Sequence, residues 1–145
     1  MAKRIGKYKV SKKESIMSLA DGGIANGNLT TAVGLAFGTQ TVAAAGSDQD
    51  GAGAISATGP VVFVTGADNT KGVRLPALAD VSVGQLVLVC NNLSNKTLEI
   101  YPASGDAINV LSDNGALTVA ADTITLFIRM DDAEWFGAEL PVVAA

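Results

Sequence analysis

Side chains that commonly perform catalysis are scarce in this sequence. It contains no histidine, the residue that most often serves as a general base or metal ligand near neutral pH. Its one cysteine, Cys90, ends the most apolar run of the chain, where a thiol behaves as a small hydrophobic group. A single cysteine forms neither an intrachain disulfide nor a cysteine-based zinc site. We therefore predict that Cys90 is structural, that the chain has no cofactor, and that it is not an enzyme.

Acidic residues are the remaining candidates for chemistry, and they fall in predicted turns. Asp48 and Asp50 are spaced as in the opening of a calcium-binding loop, but the twelfth position counted from Asp48 is Gly59 rather than glutamate. A second acidic group surrounds a predicted hairpin turn at residues 131–134, where charge discourages a sheet edge from pairing with other chains. Solvated turns are the better interpretation of both groups, and we predict no metal site.

Charge is distributed unevenly along the 145 residues. Between Met1 and Glu14 the chain carries six of its ten basic residues against one acid, whereas the remainder carries four basic and 13 acidic residues. A basic arm beside an acidic body is typical of docking on an acidic surface, and such attraction weakens as salt rises. The alternative is a solvated terminus without a partner. Because the acidic body would repel phosphates and Tyr8 is the only aromatic residue of the arm, we predict no nucleic-acid partner.

Short apolar runs separated by turn residues dominate the chain after residue 58. Turn residues recur at spacings of about 8–12 residues, which indicates an antiparallel sandwich or barrel. The run at residues 85–90 is apolar throughout, as in a central strand that is covered on both faces. We predict an all-β fold with an antiparallel β-sandwich or jelly-roll-like body and an extended N-terminal arm. The predicted strands lie within residues 60–65, 72–76, 85–90, 96–101, 107–111, 116–119, 123–130 and 134–136.

Two of these segments alternate clearly between apolar and polar residues. Residues 96–101 place Leu98 and Ile100 on one face and Thr97, Glu99 and Tyr101 on the other. Residues 123–130 place one apolar set on a common face, namely Ile124, Leu126, Ile128 and Met130. Such alternation is typical of strands with two different environments.

The length suits one domain, within which the sequence distinguishes three parts. Residues 1–26 form the basic arm, although Ser11 and Glu14 also match a helix-capping pattern. Residues 27–58 are rich in Gly, Ala and Thr, and side chains this small bury so little apolar area that we expect the segment to pack on the body or on a neighbouring subunit. Residues 59–145 form the β-rich body. The chain shows neither a membrane-spanning apolar run nor a secretory h-region, which predicts no membrane partner and assembly in a cytoplasm.

Three segments of the body resemble a β-rich module of tailed-bacteriophage structural proteins. The first is Val73-Arg74-Leu75-Pro76, the second is the turn YPASGDAIN at residues 101–109, and the third runs from residue 120 through Phe127 to Trp135. The resemblance covers residues 61–137. Among such proteins, the chain is most similar to the small capsid decoration, or cement, proteins.

This resemblance implies a non-enzymatic homotrimer on the outer capsid surface of a virion, assembled in the host cytoplasm. The partner would be the major capsid protein, and the trimer would bridge neighbouring capsomers at local threefold positions. Because related modules also occur in phage fibres and tails, the alternative is a fibre or host-attachment module that binds cell-surface glycan. That alternative predicts an exposed aromatic platform.

Two groups of residues are predicted to carry this function. The arm would contact the capsid through basic residues and through apolar anchors, which usually carry interface affinity; they are Lys3, Arg4, Ile5, Lys7, Tyr8, Lys9, Val10, Lys12, Lys13, Ile16, Met17 and Leu19. The large aromatic residues of the body are predicted to fill the core or the trimer interface rather than to bind a ligand; they are Tyr101, Phe127, Trp135 and Phe136.

Overall fold

A computed structural model describes residues 37–140 of the protein. These residues form ten strands and a short 3-10 helix at Leu78–Asp80. The all-β prediction is confirmed. The strands are β1 Thr39–Ala43, β2 Gly53–Ala54, β3 Val61–Thr65, β4 Gly72–Arg74, β5 Leu86–Asn91, β6 Leu98–Tyr101, β7 Ala107–Ile108, β8 Leu117–Val119, β9 Thr123–Arg129 and β10 Glu134–Leu140. Within this part of the chain, no helix is long and apolar enough to cross a membrane.

The strands form two sheets, and the chain alternates between them. The six-stranded sheet has the order β1-β3-β5-β9-β10-β7, and the four-stranded sheet has the order β2-β4-β6-β8. From β1 to β9, odd-numbered strands therefore lie in the six-stranded sheet and even-numbered strands in the four-stranded sheet. Up to β9, strands that follow one another within a sheet are therefore joined through a strand of the other sheet, whereas β9 and β10 are joined directly by residues 130–133.

Both sheets are mixed, which corrects the antiparallel arrangement predicted from the sequence. The pairs β1–β3, β3–β5, β2–β4, β4–β6 and β7–β10 are parallel, whereas β5–β9, β9–β10 and β6–β8 are antiparallel. Parallel neighbours need a crossover of a dozen or more residues. In four of the five parallel pairs a single strand of the opposite sheet lies in that crossover, and between β7 and β10 the chain passes through both β8 and β9. The regular turn spacing therefore marks passages between sheets as well as hairpins.

One hydrophobic core contains the inward-facing residues of both sheets. Alternate positions along each strand point into it, because successive side chains of a strand face opposite sides. Burying each large apolar side chain contributes about 1.5–3 kcal/mol, so this shared core holds the two sheets in one fold. Its fully buried members include Val62, Val89, Phe127 and Trp135 of the six-stranded sheet and Val73, Leu98, Ile100 and Val119 of the four-stranded sheet.

The strand β5 is central, as predicted, but only one of its faces is buried. It lies between β3 and β9, and Val87 and Val89 point into the core. Leu86, Leu88 and Cys90 point to the opposite side and are partly exposed. The prediction of a strand covered on both faces is therefore wrong for the described residues. The continuous apolar run reflects a core face on one side and an apolar surface on the other.

Candidate functional site

The outer side of the six-stranded sheet is an apolar surface that contains five of the nine large apolar residues exposed among residues 37–140. Four neighbouring strands, β3, β5, β9 and β10, each place apolar side chains there at alternate positions. We call this surface the apolar face. It consists of Val61, Phe63, Leu86, Leu88, Cys90, Ile124, Leu126, Ile128, Phe136, Ala138 and Leu140.

The strand register arranges these side chains in three rows across the sheet. The middle row runs from β3 to β10, and the rows on either side of it contain the most exposed members. Side chains directly opposite one another on paired strands are close enough to contact. The rows are Leu86–Ile128–Phe136, Val61–Leu88–Leu126–Ala138 and Phe63–Cys90–Ile124–Leu140.

The two aromatic rings of the apolar face stand at diagonally opposite corners. Phe63 is 45% exposed and lies on β3 in one outer row, whereas Phe136 is 53% exposed and lies on β10 in the other. Each ring has a small neighbour, since Phe63 is paired with Cys90 and Phe136 lies two residues before Ala138. Each ring therefore projects beside a smaller side chain.

Two grooves extend the apolar face at its ends. One has a volume of about 340 Å³ and lies between Phe63, Cys90 and Ile124, with Asn92 and Asp122 at its polar end. The other has a volume of about 320 Å³ and contains Phe37, Pro60, Leu86 and Leu88. Beyond β3, the edge strand β1 presents polar side chains, because Thr39 pairs with Val61 and Thr41 pairs with Phe63. The apolar face thus has a polar rim.

Electrostatically, the apolar face is neutral. Ten of its eleven members have no ionisable side chain. The eleventh is Cys90, and burial raises the pKa of its thiol above the ordinary value, which favours the neutral form. A protonated thiol beside Phe63 and Ile124 acts as a small apolar group. This environment agrees with a structural role for Cys90. Such a surface can bind an apolar partner, but it offers no charged group with which to hold a polar one.

The predicted aromatic residues of the body occupy three different environments. Phe127 and Trp135 are fully buried in the core, and Phe136 lies on the apolar face. Tyr101 is half-buried in the four-stranded sheet, where its hydroxyl donates a 3.0 Å hydrogen bond to the backbone oxygen of Ser47. Burial, followed by the charges of Glu99 and Asp48, raises the pKa of Tyr101. The structure therefore does not bring these four residues together into one site.

The twelve predicted capsid-binding positions of the arm, from Lys3 to Leu19, lie outside the described residues. The same holds for residues 27–36 of the Gly/Ala/Thr-rich segment. Its remaining part contains β1 and β2, which pair with β3 and β4 of the body.

The acidic candidates take part in turns. Asp48 accepts a 2.8 Å hydrogen bond from the backbone N–H of Gly51, and Asp131 accepts one of 2.8 Å from the N–H of Ala133. The Arg129 guanidinium donates to the carboxylate of Asp132. Among residues 37–140, no group of three or more potential ligands is placed to hold a metal ion.

The apolar face was missed by sequence reasoning, although one signal for it was present. The alternation in residues 123–130 put Ile124, Leu126 and Ile128 on one side of β9, and these side chains point outward in the structure. The threonine side faces inward, where Thr125 is fully buried. Apolar residues on both sides of β5, next to β9, were the sign that the sheet has two apolar faces.

Comparison with known proteins identifies no relative. No family model matches the chain, and no curated protein or solved structure is significantly similar to it.

Proposed function

We propose that this protein is a non-enzymatic structural component of a phage virion that binds the outer surface of the assembled capsid. The observation that supports a macromolecule-binding rather than an enzymatic role is the apolar face, a broad uncharged surface on a sheet. Surfaces of this kind bind macromolecules, whereas catalysis and small-ligand binding use concave sites with converging polar groups. The sequence resemblance to capsid decoration proteins supplies the class of partner, the major capsid protein.

The proposed mechanism is stabilisation by bridging. A protein that binds the assembled shell better than its free subunits stabilises the assembly by RT ln(1 + [L]/Kd) for each site. A homotrimer would place three arms on neighbouring capsomers. Individual contacts with a Kd of about 1 mM then combine through millimolar effective concentrations into tight attachment.

The arm is proposed to make the contacts with the capsid, and the charge distribution supports this division of roles. The body has few basic residues, of which Arg129 is engaged by Asp132 and Lys71 forms a 2.8 Å ion pair with Asp68. The basic charge that remains available for an acidic capsid surface is concentrated before Glu14. We therefore expect attachment to weaken as salt rises.

For the body, we propose a sandwich-like packing of the two sheets. The shared hydrophobic core supports it, because face-to-face sheets bury their inner side chains in one layer. A jelly roll is built from antiparallel strands, so the five parallel pairs favour the simpler sandwich description.

A glycan-binding fibre module receives less support. It needs exposed aromatic rings near one another, whereas Trp135 is fully buried and the Tyr101 hydroxyl is bonded to the backbone. Of the residues considered for such a platform, only Phe136 is more than half exposed.

The test is co-sedimentation of the full-length protein with capsids that lack it, over a series of salt concentrations. We expect binding that weakens with salt and that drops further when Lys7 and Lys9 are both changed to glutamine. Lys96→Gln is the matched control, because Lys96 is an exposed lysine of the body. No binding at any salt concentration would overturn the proposal, and binding to a glycan array without capsid binding would favour the fibre module.

A further inference from the structure

We infer that a groove at one edge of the four-stranded sheet binds a carboxylate that is carried by a peptide segment of another protein. The residue that would hold the carboxylate is Arg74. The inference goes beyond the proposed capsid role, because it assigns a binding site to the body rather than to the arm. It rests on the construction of the groove, on the unpaired charge of Arg74 and on the residues around that charge.

The groove lies where three parallel strands end. Its volume of about 490 Å³ is within the range of ligand-binding clefts. Its walls include residues 54–57, 74–77 and 103–104, which lie at or shortly after the ends of β2, β4 and β6. Because these strands run in parallel, their carboxyl ends meet at one edge of the sheet. Three separate segments therefore converge on one concave site.

Arg74 is half-buried and forms no ion pair within the described part of the chain. Of the other basic residues there, Lys71 and Arg129 form ion pairs and Lys96 is exposed. The Arg74 guanidinium donates one long hydrogen bond, of 3.5 Å, to the backbone oxygen of Gln49. A cation that is partly removed from water is stabilised by an anionic partner, and the planar fork of guanidinium donors matches a carboxylate.

The remaining lining residues favour a carboxylate over other anions. Several are apolar, among them Ile55, Pro76 and Ala77, and the methylene groups that carry a carboxylate can be buried against them. Phosphate and sulfate have no such groups. Asp80 also lines the groove, and its carboxylate repels an ion that carries more than one negative charge. The excess of acidic residues in the body acts in the same direction.

A peptide segment also matches the uncharged hydrogen-bonding capacity of the groove. Asp80 and Ser104 are exposed lining residues, of which the first accepts hydrogen bonds and the second both donates and accepts them. A segment that places a glutamate side chain against Arg74 brings its own backbone N–H and C=O groups with it. A free carboxylate such as acetate brings neither, so we expect it to bind more weakly.

The test is an NMR titration of the full-length protein with matched probes. The first probe is acetyl-Ala-Glu-Ala-amide, the second has glutamine in place of glutamate, and the third is acetate. We expect the first probe to shift the backbone amide signals of Ser56, Ala77 and Ser104. The Kd of each of the other two should be about tenfold higher or more, because a hydrogen bond to a charged group is worth at least a factor of ten. This comparison uses the wild type alone and does not depend on how variants fold.

Two variants then assign the binding to Arg74. Arg74→Gln should raise the Kd of the glutamate probe about tenfold or more, whereas Lys96→Gln, at an exposed lysine outside the groove, should leave it unchanged. Arg74→Glu should reverse the preference, so that a probe with lysine in place of glutamate binds more tightly. Circular dichroism verifies that each variant is folded.

Three results would overturn the inference. They are equal binding of the glutamate and glutamine probes, binding of the glutamate probe that Arg74→Gln leaves unchanged, and acetate binding as tight as that of the glutamate probe. Failure of the proposed function is distinguishable from these. A protein that binds the glutamate probe through Arg74 but never co-sediments with capsids contradicts the capsid role alone. A protein that co-sediments with capsids but does not discriminate between the probes contradicts the assignment of the groove alone.

Discussion

The inner faces of the two sheets are both apolar, whereas their outer faces differ in polarity. On the four-stranded sheet, Leu98 and Ile100 point into the core while Glu99 and Tyr101 point outward. The Thr118 hydroxyl donates 2.9 Å hydrogen bonds to the Glu99 carboxylate, so this outer surface is polar and internally paired. On the six-stranded sheet, the outer positions of β5 and β9 are as apolar as many inner ones.

This difference separates residues that maintain the fold from residues that are available for binding. Both inner faces contribute to a single core, so both sheets are needed for folding. The outer side of the four-stranded sheet is already suited to water. The apolar face leaves aromatic and aliphatic surface exposed, which is common at interaction sites and unfavourable in an isolated monomer.

The largest expected effect comes from truncating the inner side of the six-stranded sheet. Phe127→Ala removes a fully buried ring, which costs about 3–5 kcal/mol of unfolding free energy. Thr118→Ala, on the outer side of the four-stranded sheet, is the control and should cost less than about 1 kcal/mol. Urea unfolding at one fixed protein concentration measures both, because association also stabilises the folded state. Similar costs for the two variants would contradict the assignment of inner and outer faces.

A smaller effect is expected at the glycine opposite Phe127. An added Cβ at Gly137 would lie 2.6 Å from Cε1 of the Phe127 ring, which is buried and cannot move away. Gly137 is also fixed by Asn109, whose side-chain amide donates to its carbonyl and accepts from its N–H at 3.0 and 2.8 Å. We expect Gly137→Ala to cost about 1–3 kcal/mol in urea unfolding.

The control for that substitution is Gly38→Ala. An added Cβ there would meet its nearest neighbour, the Thr58 oxygen, at an ordinary contact distance of 3.5 Å. Its unfolding free energy should stay within about 0.5 kcal/mol of the wild type. If Gly137→Ala were equally tolerated, the close packing of β9 against β10 on the inner side would be in doubt.

The sequence allowed prediction of the all-β class and of the environment of β6. In β6, polar and apolar residues alternate, and the apolar set of Leu98 and Ile100 points into the core as the hydrophobic effect requires. Each strand predicted after residue 58 overlaps an observed strand, because turn residues mark where a chain leaves a sheet.

The environment of β9 could not be predicted in the same way. Alternation shows that a strand has two different faces but does not say which one meets the core. In β9, Phe127 on the threonine side is buried, and Ile124 lies on the outer side, 41% exposed. Parallel pairing was equally inaccessible, because a turn sequence does not encode which distant strand a segment joins. The apolar face was missed because the sequence showed neither which side of β9 faces outward nor which strands lie beside each other. Both are needed to find a surface that is formed by four strands.

The smallest expected effect lies in the connection between the two sheets. Asp68, between β3 and β4, accepts hydrogen bonds from the N–H of Thr70 at 3.1 Å and of Lys71 at 3.0 Å. The Lys71 ammonium, followed by the Thr70 hydroxyl, holds the pKa of Asp68 well below its ordinary value. A carboxyl group whose pKa is lowered by folding stabilises the native state above its unfolded pKa of about 3.9, and that contribution is lost as pH falls toward the folded value.

Lys71→Gln is therefore expected to raise the pKa of Asp68 toward its ordinary value, as followed by NMR titration of the carboxyl carbon. The exposed residue Lys96 provides the matched control, and Lys96→Gln should leave the titration of Asp68 unchanged. Because the pair is exposed and screened by salt, the urea midpoint near neutral pH should fall only slightly. That decrease should disappear at pH values below the folded pKa of Asp68, where its carboxylate is protonated. A large loss of stability in Lys71→Gln would instead mean that this polar connection, and not the shared core alone, holds the two sheets together.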